Sequence, residues 1–233
     1  MSKTNGAMVS AQGVWKVYRQ GEVTVNALAG VDLSVEKGEF MALAGPSGSG
    51  KTTLLNILGG LDNADKGEVT VEGKTLGDMS QGELAAMRLA RIGFVFQAYN
   101  LIPVLSAEEN VEFVMLLQGV PASERRSRAR AVLDEVGLSG MYNRRPAQLS
   151  GGQQQRVAVA RAIVSNPAIV LADEPTANLD SKTGRGLLEI MRKMNTERRV
   201  TFIFSTHDSM VMEFARRLVH LKDGRVEKEE TKA

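Results

Sequence analysis

Hydrophobic and polar positions alternate along residues 9–39, and glycines at positions 13, 21, 30 and 38 interrupt the alternation. A period of two is typical of half-buried strands, and glycine is common in the turns between them. We therefore expect short strands of an antiparallel sheet in this part of the chain. A buried strand, a helix and a further alternating strand are predicted next, at residues 40–44, 51–58 and 67–73.

Charged amphipathic segments dominate residues 98–148, and residues 124–136 carry the clearest helical pattern among them. We interpret this stretch as an inserted helical subdomain. Beyond it, helical patterns alternate with apolar runs, which is typical of a parallel sheet covered by helices. Residues 227–233 are expected to form a solvated, frayed tail. The helices are expected at residues 153–164, 182–194 and 208–216, and the strands at residues 168–172 and 200–205.

Composition excludes several classes of protein. The chain of 233 residues contains no cysteine, so neither a disulfide framework nor a thiolate metal site is expected, and a reducing compartment is indicated. Its net charge of +2 is far below that of a protein that grips nucleic acid, and no nucleic-acid partner is expected. Residues 1–6 lack the apolar core of a signal peptide, and no apolar run reaches the roughly 18 residues of a membrane-spanning helix. If the protein works at a membrane, another chain is expected to supply the spans.

A glycine-rich loop follows the strand predicted at residues 40–44 and precedes a predicted helix. Glycines are needed where a phosphate approaches the backbone closely, and the N–H groups of such a loop surround phosphate oxygens. Lys51 would contact the terminal phosphates, and the Thr52 hydroxyl would coordinate Mg²⁺. An ordinary glycine turn is the alternative, but the flanking strand and helix favour a nucleotide site. The residues expected to bind ATP here are Gly45, Pro46, Ser47, Gly48, Ser49, Gly50, Lys51, Thr52 and Thr53.

Two carboxylates, Asp173 and Glu174, end the apolar run at residues 169–172. Open parallel sheets place their ligands at the carboxyl edge of the strands. Asp173 would hold Mg²⁺ through water, and Glu174 would polarise the water that attacks the γ-phosphate. A solvated acidic turn before Pro175 is the alternative, and the phosphate loop makes it the weaker one.

His207 and Gln97 also follow apolar runs that predict strands. His207 would bond the γ-phosphate and orient Glu174, and Gln97 would reach the metal and the attacking water. A histidine at a strand end is usually structural, as we expect for His220, and a strand-end glutamine by itself means little.

A second glycine cluster opens the helix predicted at residues 153–164. Its Ser-x-x-Gln pattern is that of a capping box, which is a purely structural explanation. However, each glycine in a helix costs about 1 kcal/mol relative to alanine, which suggests that something approaches the backbone closely. Because the chain already has one phosphate loop, we expect this cluster to contact ATP held by a second subunit, so that two chains enclose two nucleotides. The cluster consists of Ser150, Gly151, Gly152 and Gln153.

In this order, the motifs resemble those of ATP-binding-cassette (ABC) ATPases along nearly the whole chain. The resemblance implies an α/β fold, namely a P-loop NTPase core with a mostly parallel sheet, an N-terminal antiparallel β subdomain and an inserted α-helical subdomain. It implies a single ABC ATPase domain over residues 1–233, with the core at 1–97 and 166–233 and the helical subdomain at 98–165. The motifs correspond to Walker A (45–52), the Q-loop (Gln97), the signature (149–153), Walker B (Asp173, Glu174), the dimer D-loop (Asp180), the switch histidine (His207) and an adenine-stacking aromatic (Tyr18).

Of the predicted site residues, Tyr18 is the one whose role is least supported by the sequence pattern around it. It ends the alternating strand at residues 14–18, and its ring could stack on adenine. Core packing is the default explanation for both Tyr18 and Trp15, so the adenine contact rests on the resemblance.

Finer similarity, at residues 94–103, 109–111 and 153–155, is to the lipoprotein-releasing, macrolide-exporter and cell-division ATPases. It implies a Mg²⁺-dependent ATPase that works as a homodimer at the cytoplasmic face of the inner membrane, attached through separate transmembrane permease subunits that it drives by mechanotransmission. It also implies that Tyr99, Leu101, Ile102 and Leu105 receive a coupling helix of the permease, although core packing explains each of them equally well. The basic run at residues 125–130 is most simply a solvated helix face.

Other ATPases share part of this pattern. A signalling module of a cell-division-type membrane complex would move no cargo, and the sequence of this subunit separates it poorly from an exporter. A chromosome-repair ATPase separates the motifs by a long coiled coil, whereas Lys51 and Ser150 are only about a hundred residues apart, without sustained heptads. A translation factor with fused cassettes would carry two motif sets. We therefore expect the ATPase subunit of a membrane transporter.

Overall fold

Strands and helices alternate along the part of the chain that the structure, a computed structural model, describes: residues 6–21 and 23–232. Expectations about residues 1–5 and 233 lie outside the described residues. The strands are β1 (Val9–Gln20), β2 (Val23–Val35), β3 (Phe40–Ala44), β4 (Lys66–Val71), β5 (Lys74–Thr75), β6 (Ile92–Val95), β7 (Ile169–Asp173), β8 (Thr201–Thr206), β9 (Arg217–Lys222) and β10 (Arg225–Thr231). The helices are α1 (Lys51–Leu58), α2 (Gln81–Arg91), α3 (Ala107–Leu117), α4 (Ala122–Glu135), α5 (Gly151–Ile163), α6 (Ser181–Arg198) and α7 (Ser209–Phe214).

A mostly parallel sheet of six strands, in the order β10-β9-β3-β8-β7-β6, forms the centre of the molecule. β3 pairs in parallel with β8 and β9, and β7 pairs in parallel with β6 and β8. All five residues of β3 are buried, as its continuous apolar run predicts for a strand covered on both faces. The ends of β3, β7 and β8 therefore meet at one edge, and the chain segments that follow them carry the candidate site.

Side chains of β3 alternate between two hydrophobic cores, because neighbouring side chains of a strand point to opposite faces. Phe40 and Ala42 belong to the core shared with helices α3, α4, α5 and α6. Met41 and Leu43 belong to the core shared with α1, α2 and the antiparallel sheet. No helix in the described part of the chain is long and apolar enough to cross a membrane.

The antiparallel sheet contains four strands, in the order β2-β1-β4-β5. Its type is as predicted, but the expected short strands are wrong, because β1 and β2 are long strands joined near Gly21. Gly13 and Gly30 lie within β1 and β2, where the register between the strands shifts, so they form β-bulges rather than turns. Gly30 also leaves room for Trp15, since a Cβ at position 30 would lie 3.3 Å from the indole nitrogen.

The predicted frayed tail is also wrong. β10 pairs antiparallel with β9, from Arg225 opposite Lys222 to Thr231 opposite Arg217. Its side chains are almost all exposed, so the sequence shows no apolar alternation although the backbone is hydrogen-bonded. The polar side chains of residues 227–231 therefore belong to an edge strand and not to a frayed tail.

The helical block predicted near the middle of the chain consists of α3, α4 and α5, which pack against one another. The helix predicted at residues 124–136 is α4, and α5 begins at Gly151, two residues before the position expected from the pattern. α2 was not predicted. It begins at Ser80 with a capping box in which Glu83 is the partner, a local signal that the sequence does contain.

Candidate functional site

A cleft of about 570 Å³ opens beside the loop between β3 and α1. Most of the residues predicted to contact a nucleotide or to catalyse its hydrolysis converge on this cleft. It is lined by Tyr18, Val25, Ala27, Pro46, Ser47, Gly48, Gly50, Lys51, Thr52, Thr53, Gln97, Glu174 and His207.

Two loop glycines are required by neighbouring backbone. Gly45 has φ +153° and Gly50 has φ +100°, values that side chains strongly disfavour. A Cβ at Gly45 would overlap the Leu221 carbonyl oxygen, and one at Gly50 would overlap that of Ala27. The loop is therefore held between β9 and β2, which fixes its shape. Ser49 faces inwards, because its buried Oγ lies beside Gly45 and does not reach the cleft.

Lys51, the first residue of α1, is buried at the base of the loop. Its ammonium group donates hydrogen bonds to the carbonyl oxygens of Gly45, at 2.8 Å, and Pro46, at 2.9 Å. Burial lowers the pKa of Lys51, and the nearby carboxylates of Glu174 and Asp173 partly oppose this effect. A buried cation with so little compensation is well suited to bind a phosphate.

Thr52, which lines the cleft, contacts Asp173, which does not itself line the cleft, although the two are far apart in sequence. Thr52 Oγ1 donates to the Asp173 carboxylate, at 3.0 Å from Oδ1 and 3.2 Å from Oδ2. A hydroxyl and a carboxylate are the hard oxygen ligands that Mg²⁺ prefers. The described residues contain no group of three or more His, Asp or Glu side chains that could hold a metal ion by themselves. A metal here would therefore need further oxygen ligands from a phosphate or from water.

Glu174 and His207 form a close pair at the ends of β7 and β8. Glu174 Oε1 lies 2.7 Å from His207 Nδ1, and Glu174 Oε2 accepts a longer hydrogen bond of 3.4 Å from Thr206 Oγ1. The backbone of Glu174 has φ +45°, the left-handed region that is rare for residues other than glycine. Backbone strain of this kind is common at functional sites, where it fixes the orientation of a side chain. Here the carboxylate of Glu174 lines the cleft.

Gln97 and Tyr18 both line the cleft. The Gln97 carbonyl oxygen accepts a hydrogen bond of 2.9 Å from Asn178 Nδ2, which ties the loop after β6 to the loop after β7. Tyr18 is 42% exposed, so its ring is not a core residue, contrary to the default interpretation. Its hydroxyl donates to Asp62 Oδ2 at 2.7 Å, and the Lys16 ammonium group lies 5.3 Å from the ring centroid.

The second glycine cluster lies outside this cleft. Ser150 Oγ accepts a hydrogen bond from the Gln153 N–H at 3.3 Å, and Gln153 Oε1 accepts one from the Ser150 N–H at 2.9 Å. The predicted capping box therefore begins α5. Asp180 also lies outside the cleft and caps α6, because its carboxylate accepts hydrogen bonds from the N–H and the hydroxyl of Thr183. These hydrogen bonds lower the pKa of Asp180.

Comparison with known proteins places these features in one family. A family model described as ABC transporter matches residues 28–177. An uncharacterized ABC transporter ATP-binding protein of Thermotoga maritima is 51% identical over 92% of this chain and 91% of its own length. The chain belongs to the ABC transporter ATPase family. It is an ATP-hydrolysing cassette, and its motifs follow the order of that family.

Solved structures support the same family. The ATP-binding cassette MJ0796, a protein of Methanocaldococcus jannaschii, was solved as a dimer in a post-hydrolysis state bound to ADP and Pi. Its TM-score with this ABC cassette is 0.90 at 46% identity, over 96% of this chain and 98% of that chain. The macrolide export ATP-binding/permease protein MacB of Syntrophobacter fumaroxidans is 46% identical over 95% of this chain, which spans 31% of that protein. The similarity to the macrolide-exporter subgroup is thus confirmed.

The glycines of the ABC signature have a packing role that the sequence analysis missed. A Cβ at Gly152 would overlap the Thr183 methyl group, and a Cβ at Gly151 would lie 2.9 Å from the Tyr99 hydroxyl. Both glycines therefore allow close contacts within one chain. The packing contacts explain why glycine is present despite its low helix propensity. The two glycines are therefore not, by themselves, evidence for a nearby nucleotide.

Forcing a methyl group into a packed contact costs about 1–3 kcal/mol, and alanine regains up to about 1 kcal/mol of helix propensity, so we expect Gly152→Ala to lower the free energy of unfolding by up to about 2 kcal/mol. Thr183→Ser removes the clashing methyl group and keeps the hydroxyl that donates to Asp180 Oδ2 at 2.6 Å. The double variant should recover most of the loss in urea unfolding without nucleotide. A Gly152→Ala chain at least as stable as the double variant would contradict the packing role.

Several residues of the site had no sequence signal. Gln155 of α5 is fully buried and donates to the Pro175 carbonyl oxygen at 2.8 Å, so the signature helix holds the loop that carries Glu174. Thr176 donates to Asp208 Oδ2 at 2.8 Å and thereby links the ends of β7 and β8. These partners are distant in sequence, and only the fold brings them together.

A second cavity of about 380 Å³, which we call the apolar groove, lies where α2, α3, α5 and β6 meet. None of Tyr99, Leu101, Ile102 and Leu105 lines it. Leu101 packs against a hydrophobic core, and Leu105 lines a different cleft beside α3 and α4. The apolar groove is lined by Leu61, Arg88, Leu89, Ile92, Gly93, Phe94, Phe96, Asn100, Val114, Arg161, Ala162 and Ser165.

Proposed function

We propose that two copies of this chain enclose two ATP molecules and drive a separate membrane permease. The observation that carries the proposal is the position of the signature, since Ser150, Gly151, Gly152 and Gln153 lie outside the cleft that holds the phosphate loop. One chain alone presents an incomplete nucleotide site. A two-fold dimer would supply the signature of each chain to the cleft of the other.

Each residue of the cleft then has a defined task. The loop N–H groups and Lys51 bind the β- and γ-phosphates. Glu174 accepts a proton from the attacking water, and His207, 2.7 Å from that carboxylate, holds it in place and contacts the γ-phosphate. Gln97 would orient the same water, and Asp180 would approach the partner chain. We propose that residues 1–233 act as one such unit, with residues 98–165 as the helical subdomain that moves.

Mg²⁺ fits the pair of oxygen donors that Thr52 and Asp173 provide beside the cleft. The Thr52 hydroxyl and the Asp173 carboxylate would hold it, with Gln97 as a further oxygen ligand. When bound, it would neutralise charge on the β- and γ-phosphates during transfer.

Tyr18 is proposed to stack on the adenine ring. Its exposed ring lines the cleft, and its hydroxyl is held by the carboxylate of Asp62. Hydrogen bonding to Tyr18 and Lys16 outweighs the effect of burial and lowers the pKa of Asp62, so the carboxylate remains charged. The tyrosine is thus held through its hydroxyl group, and its ring is exposed enough for a base to stack on it.

Complementation between two inactive variants tests the shared site. Lys51→Ala disables the phosphate loop, and Ser150→Asp keeps a residue that caps helices well while adding negative charge where a phosphate would bind. Each variant alone should hydrolyse little ATP. Mixed dimers combine an intact loop from one chain with an intact signature from the other, so up to about a quarter of normal activity should return on 1:1 mixing if the sites are independent. A mixture no more active than its components would contradict a site shared between chains.

The permease is proposed to dock at the apolar groove. Leu61, one of the residues that line it, is 47% exposed and so leaves apolar surface open to a partner. Phe96 and Asn100 line the groove, whereas Gln97 lines the nucleotide cleft. A helix of the permease seated here would therefore touch the loop that reaches the nucleotide. By similarity to macrolide exporters, the movement of the helical subdomain during ATP hydrolysis would drive mechanotransmission-type export.

A further inference from the structure

The apolar groove contains two positive charges and no negative one. Leu61, Leu89, Phe94, Phe96 and Val114 supply most of its apolar surface, and the Phe94 and Phe96 rings stack with centroids 5.8 Å apart. Arg88 and Arg161 are its ionisable side chains, and no Asp or Glu appears among the residues that line it.

Arg161 is held by backbone carbonyl oxygens and not by a carboxylate of the described residues. It donates to the carbonyl oxygens of Tyr99, at 2.9 Å, and Asn100. Burial lowers the pKa of Arg161, and no carboxylate within the described ranges, 6–21 and 23–232, opposes that effect. A guanidinium group has five N–H donors, so two carbonyl contacts leave others available. A half-desolvated cation of this kind gains most from an incoming anion.

We infer that the groove takes an amphipathic segment of the permease that carries a carboxylate, and that this carboxylate pairs with Arg161. This inference rests on the proposed docking of a permease and adds the chemistry of its contact. Apolar side chains of the segment fill the space beside Phe94 and Val114. The carboxylate offers two oxygens to the planar fork of Arg161, which suits arginine better than lysine.

The position of Arg161 gives this contact a further consequence. Arg161 lies on α5, the helix that Ser150 begins, and it holds Tyr99 and Asn100, which have φ values of +60° and +48°. Two consecutive non-glycine residues in the left-handed region are strained and need outside support. A partner carboxylate that moves Arg161 would therefore displace both the signature helix and the loop that carries Gln97.

Zero-length cross-linking tests the pairing. A tagged Arg161→Lys chain is expressed in its native cells, purified from the membrane in mild detergent and treated with a carbodiimide, which joins an amine to a carboxylate in direct contact. We expect mass spectrometry to find an amide bond between position 161 and an Asp or Glu of the permease. The matched control is Arg192→Lys, which adds an amine on the exposed face of α6 and should give no such bond.

Charge reversal provides the second measurement. Arg161→Glu should lower the amount of permease recovered by at least about tenfold, because an unpaired or repelled buried charge at an interface is costly. ATP binding by the same variant shows that it has folded. Permease that is recovered in full with Arg161→Glu, or that cross-links to other lysines but never to position 161, overturns the inference. Absence of any permease with the unsubstituted chain refutes the proposed docking itself, so the two failures are distinguishable.

Discussion

Replacing Glu174 by glutamine is expected to lower ATP turnover about 10²- to 10⁴-fold, the usual contribution of a general base. Glutamine keeps the shape of the side chain and a polar contact to His207, now 2.7 Å from the carboxylate, but it accepts no proton from water. ATP binding should therefore persist. Phosphate release in the steady state measures the loss, and calorimetry measures the affinity.

The same variant should accumulate as a dimer with ATP, because in the proposed cycle ATP binding closes the dimer and hydrolysis reopens it. Light scattering during size-exclusion chromatography checks this result. Glu189→Gln is the matched control, since Glu189 lies exposed on α6 and is not among the residues that line the nucleotide cleft. Near-normal hydrolysis by Glu174→Gln would remove Glu174 from its proposed role.

Replacing Lys51 by alanine should act on binding rather than on the chemical step alone. Hydrogen bonds to charged groups contribute about 1.5–3 kcal/mol, which corresponds to a loss of affinity of about 10- to 100-fold. Titration calorimetry with a non-hydrolysable ATP analogue gives the value directly. Unchanged affinity would count against the phosphate loop.

The fold should tolerate this substitution. The pKa of Lys51 is lowered by burial, so the folded protein holds the proton less tightly than the unfolded chain and the buried charge costs stability. Its removal relieves that cost while two hydrogen bonds to the loop are lost. We expect little net change in Tm, and Lys37→Ala, in an exposed turn, controls for the loss of a lysine.

Local patterns sufficed to predict the features that depend on neighbouring residues. Apolar runs in the sequence predict the central strands. The residues that come directly after these runs predict the phosphate loop and the positions of Asp173, Glu174 and His207. The fold class and the family were therefore predictable. The order of the strands was not, because it depends on pairing between segments far apart in sequence.

The errors have identifiable physical origins. β10 is a polar edge strand stabilised by its backbone, and Gly13 and Gly30 sit in bulges that the neighbouring strand defines. In the same way, Gly152 is needed because Thr183 of another helix approaches it, and Asp62 matters because it meets Tyr18. For Gly152 and Asp62 the deciding partner is remote in sequence, whereas β10 pairs with the strand just before it and was missed because its side chains are polar.

The central place of β3 has a consequence for biosynthesis. Both of its hydrogen-bonding neighbours, β8 and β9, come from residues 201–222, so the strand leaves the ribosome long before either partner exists. Until then, Phe40–Ala44 is an apolar strand with two open edges, the kind of segment that aggregates in nascent chains. Because β9 also holds Gly45, the nucleotide cannot begin to stabilise the protein until translation is nearly finished.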